Sequence, residues 1–129
     1  MTSADFLNLA CRWAFEHGTK FIQENEFPPS IRSMGVSDEK ILRFRRDLEQ
    51  RGFLTNLEVI GGWNGFTLTD SVFHRYVRSV IPKSVIQRAA ALCASRMRSP
   101  GEPLTATYLA EQLGVPELNA QYILELLAE

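Results

Sequence analysis

From Ser99 to Glu129 the chain has no lysine or arginine, while Glu102, Glu111, Glu117, Glu125 and Glu129 are spread along it. Such a segment cannot bind a polyanion well, because affinity for nucleic acid comes mainly from cations that neutralise phosphates. Long apolar runs are missing as well. No stretch approaches the roughly 20 apolar residues that span a bilayer, so no membrane partner is expected. Met1 to Trp13 lacks a basic start followed by an apolar run, which argues against a secretory signal. Cys11 and Cys93 are the only cysteines, with no CxxC and no metal-spaced Cys/His cluster, so no metal site is expected. Both lie at apolar helical positions. They read as free thiols in a reducing cytosol, with a mutual disulfide as the alternative.

Catalytic patterns are absent too. His17 and His74 have no carboxylate partner nearby in sequence, and there is no GxSxG elbow. Gly61-Gly62-Trp63-Asn64-Gly65 lacks the lysine and Ser/Thr of a phosphate loop. Asp38-Glu39 and Asp47-Glu49 read as acids on a solvated helix face, and catalytic use would require burial or shifted pKa values. The chain is therefore not expected to be an enzyme or to carry a cofactor.

What remains is a helical pattern interrupted once. The chain has 129 residues, a hydrophobic content of 45% and a net charge of −1, enough for one compact domain or two small ones with little long-range field. Ser3 is positioned to cap a helix whose apolar positions are Phe6, Leu9, Ala10, Trp13 and Ala14, with His17 following and Gly18 ending or kinking it. A turn is expected at Glu26-Phe27-Pro28-Pro29, then a short helix capped by Ser30 and closed by Gly35. Ser37 caps the next helix, with Asp38 and Glu39 in its first turn, a buried stripe of Ile41, Phe44 and Leu48, and Gly52 as its stop.

The only clear β-pattern comes next. Leu57 and Val59 are expected to share an inner face with Phe66 and Leu68, the hairpin turning at Gly61 to Gly65 through Asn64-Gly65. Val72, Phe73, Tyr76, Val77, Val80 and Ile81 mark an amphipathic helix that Pro82 ends. The remainder reads as helix: one through Val85, Ile86, Ala89 and Leu92, a break at Ser99-Pro100-Gly101, one capped by Thr105, and a last one after Pro116. The expected fold class is mainly α with one β-hairpin, divided into residues 1–82 and a helical half, 83–129, that could pack on the first as one unit.

The run FPPSIRSMGVSDEKILRFRRDLEQRGFL, followed by a hairpin and FTLTD, resembles a winged helix-turn-helix over about residues 4 to 80. It is similar to the amino-terminal domains of SOS-type repressors and to multiple-antibiotic-resistance-type regulators. LTATYLAEQLGVPELNAQYILELLAE resembles a second helix-turn-helix without a wing. The first resemblance implies double-stranded DNA as partner, with the third helix in the major groove. Lys40, Arg43, Arg46 and Arg45 are then the groove-facing candidates, and Arg32 reaches a phosphate from the second helix. Arg75, Arg78, Lys83 and Arg88 form a further cationic group that reads as a solvated face or as an extension of the phosphate footprint.

Three departures favour another partner. The second helix is short, the third begins with Asp38 and Glu39, and the wing from Phe53 to Ser71 has no cation but offers Trp63. Trp63 either folds back on the hairpin or anchors a protein contact, and Tyr108 and Leu124 are further candidates for protein contact or core. The expected function is a small cytoplasmic DNA-binding regulator whose acidic carboxyl-terminal half dimerises or meets a partner. The alternative is a protein-binding winged-helix module, an assembly subunit or an inhibitor competing for a basic nucleic-acid-binding surface.

Overall fold

The computed structural model describes residues 1–59, 62–99 and 101–129, except for the side chains of 58, 59, 62 and 63. Among the described residues the fold is mainly helical with a small three-stranded antiparallel sheet, an architecture compatible with a winged helix. The chain separates into two compact units, Met1–Tyr76 and Val77–Glu129. That division falls inside a helix.

The first unit begins with α1 (Ser3–His17). Its cap is Thr2 rather than Ser3: the Thr2 hydroxyl accepts from the Asp5 amide while the Asp5 carboxylate accepts from the Thr2 amide, a reciprocal capping box. Ser3 is instead turned to Asp47, its hydroxyl 2.9 Å from Oδ2. Phe6, Ala10, Cys11 and Ala14 are buried, and Gly18 closes the helix in the left-handed conformation at φ 67°. Burial pushes the Cys11 thiol up to about 12. Both cysteines are free.

The chain then forms a strand that the sequence pattern did not announce, β1 (Phe21–Gln23). It is followed by α2 (Pro28–Arg32) and α3 (Asp38–Gln50). Pro28 and Pro29 open α2 instead of making the preceding turn, since a first-turn proline has no amide to leave unpaired and already holds helical φ. Ser37 caps α3 as expected, accepting from the Lys40 amide.

β2 (Leu54–Val59) and β3 (Gly62–Leu68) complete the sheet in the order β1-β3-β2. Val59 pairs with Gly62, so only residues 60 and 61, which lie outside the described residues, separate the strands. The expected turn at Asn64-Gly65 is therefore corrected: both residues belong to β3, beside a register shift between Leu57 and Glu58. The inner face is corrected too. Leu54, Phe66 and Leu68 are buried, but the second inward position of β2 is Asn56, and Leu57 is 44% exposed.

Gly65 has a physical reason to be glycine. It pairs with Gln23 of β1, and a β-carbon there would collide with the carbonyl oxygen of Ile22. Behind the sheet the rings of Phe6, Phe27, Phe44 and Phe66 form one cluster, with Phe6 5.5 to 5.9 Å from each of the other three.

α4 (Asp70–Val80) leads into the second unit. There α5 (Lys83–Met97), α6 (Ala106–Leu113) and α7 (Glu117–Leu127) enclose Ala89, Leu109, Ala110, Ala120 and Ile123. Thr105 caps α6 and Gly114 ends it at φ 69°. No described helix is long and apolar enough to cross a membrane.

Gly65→Ala should destabilise the first unit by about 1–3 kcal/mol, the usual cost of forcing an atom into a packed site. Both tryptophans, Trp13 and Trp63, lie in that unit. Urea unfolding followed by tryptophan fluorescence reads the loss directly, and an unchanged midpoint would contradict the close approach of β1.

Candidate nucleic-acid interface

α3 is built by a stripe that recurs every three to four residues. Ile41, Phe44, Arg45 and Leu48 are buried on one side, and Glu39, Lys40, Arg43, Arg46 and Gln50 are exposed on the other. Lys40 and Arg43 are three residues apart, as are Arg43 and Arg46, so they form one cationic row. Arg32, at the end of α2, is 42% exposed at its side chain. Four of the five expected DNA-facing cations are thus at the surface.

The fifth is not. Arg45 is 1% exposed and lies within the apolar stripe. Its Nε donates to Asn56 Oδ1 at 2.9 Å, its Nη2 donates to the Gly65 carbonyl at 2.6 Å, and its guanidinium carbon is 5.2 Å from the Phe66 ring centre. Asn56 returns the contact, its Nδ2 donating to the Arg45 carbonyl at 3.2 Å and to Glu49 Oε2 at 2.8 Å. Burial lowers the Arg45 pKa, while the charges of Glu24 and Glu49 oppose that shift. Arg45 therefore joins α3 to the hairpin and is no groove-facing residue. Sequence reasoning missed Asn56 altogether; the signal was a polar residue two positions from Leu54, in phase with the buried face of β2.

Carboxylates accompany most of the exposed arginines. Arg32 Nε is hydrogen-bonded to Asp38 Oδ1, and its Nη2 lies 3.9 Å from Glu24 Oε1. Arg43 Nη2 is 3.8 Å from Glu39, and Arg51 Nε is 3.4 Å from Asp47. Exposed pairs like these typically contribute less than about 1 kcal/mol, so a phosphate could displace such a carboxylate at small cost. Among the described residues Lys40 and Arg46 have no ion-pair partner, and Lys40 Nζ lies 5.9 Å from the Phe44 ring centre. A cleft of about 170 Å³ at the end of this face is lined by Glu24, Arg32, Asp38, Ile41, Leu42 and Arg45.

The protein-contact candidates are placed as follows. The backbone of Trp63 pairs with Glu58 in the hairpin, and its side chain lies outside the described residues. Tyr108 is half-buried under the Arg96 guanidinium, 4.0 Å from ring centre to carbon, and Arg96 also bonds Glu102 at 2.7 Å. Leu124 is half-buried against the core of the second unit. Of the further cations, Arg78 pairs with Glu129 and Arg88 donates to the Gln112 carbonyl at 2.8 Å. Among the described residues no three His, Cys, Asp or Glu side chains are grouped to hold a metal ion.

Neighbours in sequence, Arg45 and Arg46 should behave oppositely. Arg45→Ala strands the acceptors of Asn56 and Gly65 and opens a void, and should cost about 2–4 kcal/mol. Arg46→Ala should stay within about 0.5 kcal/mol. Urea denaturation of the two variants compares them, and equal midpoints would contradict the burial of Arg45. No protein-family model, no curated protein and no solved structure matches the chain.

Proposed function

We propose that the first unit is a winged helix-turn-helix, with α2 and α3 as its two helices and β2–β3 as its wing, and that it binds double-stranded DNA as a small regulator. The observation that supports this is the row Lys40, Arg43 and Arg46 on the exposed side of a helix whose other side is anchored in the core. In the major groove such a row meets phosphates and base edges along one strand. Arg32 flanks the row at the end of α2, where it is paired with Asp38 and Glu24. The acidic carboxyl-terminal half then serves dimerisation or partner contact, and a dimer would read a symmetric site with half-sites about one helical turn apart.

The electrostatics set the scale. Three cations, a wing without any and carboxylates along the same helix give modest affinity. With about 0.9 per neutralised phosphate, the slope of log K against log salt should be about −3. A second reading, a protein-docking module on the same scaffold, is favoured by the cation-free wing and by the cation-free stretch after Ser99.

Fluorescence anisotropy of a labelled mixed-sequence duplex, titrated across a salt series, separates the two. Arg43→Ala combined with Arg46→Ala should weaken binding at least tenfold and flatten the slope by about 2. Binding that survives this double change intact removes α3 as the reading helix. No measurable binding by the unaltered chain at low salt leaves the protein-docking reading.

A further inference from the structure

We infer that Asp38, assisted by Glu24, is a built-in competitor for the phosphate that Arg32 would contact, and so attenuates DNA binding. This rests on the winged-helix reading above and deepens it at one residue. Arg32 is the cation that a second helix contributes to the DNA backbone, yet its guanidinium carries two carboxylates of its own chain: Asp38 on Nε and Glu24 3.9 Å from Nη2. The local sum is one negative charge where the proposed complex needs a positive one.

The fold places Asp38 beside Arg32. It is the first residue of α3, held there by the Ser37 cap, and a carboxylate in the first helical turn is favoured by the helix dipole. Arg32 is the last residue of α2, and residues 33–37 lie between it and α3. Both side chains line the same cleft above Ile41 and Leu42. Asp38 is 75% exposed at its side chain, so solvent and a DNA phosphate reach the same pair. A phosphate must displace a carboxylate here, which releases fewer counterions than neutralisation by a free cation. Along α3, Glu39 pairs with Arg43 and Asp47 with Arg51, one acid to each arginine, whereas Arg32 is shared by two acids.

A double-mutant cycle tests the pair itself. Affinity for a labelled duplex is measured by anisotropy over a salt series for the unaltered chain, Asp38→Asn, Arg32→Ala and the double variant. Asp38→Asn should tighten binding several-fold and steepen the salt slope by about 0.9, one added phosphate contact. Arg32→Ala alone should change little, because Arg32 is already engaged. In the Arg32→Ala background the gain from Asp38→Asn should disappear. Glu24→Gln, away from α3, should give a smaller gain that also depends on Arg32.

A gain that persists without Arg32 would overturn the inference, since it would show only the removal of a negative charge near DNA. No gain from Asp38→Asn, with binding by the unaltered chain still weakened at least tenfold by the Arg43 and Arg46 changes, would also overturn it while leaving the DNA-binding reading intact. Failure of every variant, Asp38→Asn included, to bind duplex at low salt would remove both. Urea midpoints of all variants exclude misfolding as a source of any loss.

Discussion

The buried guanidinium of Arg45 is the constraint on which the first unit depends. A charge taken out of water must find hydrogen-bond partners, because an unpaired one is far costlier than the burial of its neighbours is worth. Asn56 Oδ1 and the Gly65 carbonyl supply them. Meeting that need draws Asn56 to the inner face of β2, and strict alternation then turns Leu57 outward. Asn56 also bonds back to the Arg45 carbonyl and to Glu49, so the hairpin is tied to α3 at both ends of one amide. Gly65 has two duties in this arrangement: its carbonyl accepts from Arg45, and its missing side chain lets β1 pair alongside.

With one arginine spent on the interior, the outer side of α3 is a balance between cations and acids. Asp38 and Glu39 belong to the start of the helix for reasons of helix stability, quite apart from any partner. Their presence makes them rivals of a phosphate at Arg32 and Arg43. The proposed DNA contact is therefore carried by few cations working against neighbouring carboxylates, and its strength is a small difference between the two. The same balance favours the protein-docking reading: a helix face of mixed charge and a wing without cations suit a protein surface as well as a polyanion.

Much of the helical framework was legible because local signals are strong where periodicity and caps agree. Ser37 and Thr105 cap α3 and α6, and Ile41, Phe44 and Leu48 recur at helical spacing. Gly18 and Gly114 end their helices in the left-handed conformation. The departures occur where a residue serves something distant in sequence. Pro28 and Pro29 read as a turn but start a helix, β1 is a strand only because β3 pairs with it, and Asn64-Gly65 reads as a turn but sits within β3. The row of cations on α3 was legible residue by residue, except that nothing local distinguished Arg45 from Arg46.

By itself, then, the sequence determined the succession of helices, the existence of a hairpin, the placement of all cations before Ser99 and the absence of metal-spaced ligands. These follow from composition and short-range periodicity, which act within a few turns of chain. Only the tertiary structure decided which arginine is interior, which face of β2 is inside and which acids neutralise Arg32. Each of those outcomes is a contact between different elements of the chain, where burial and hydrogen-bond satisfaction override local preference.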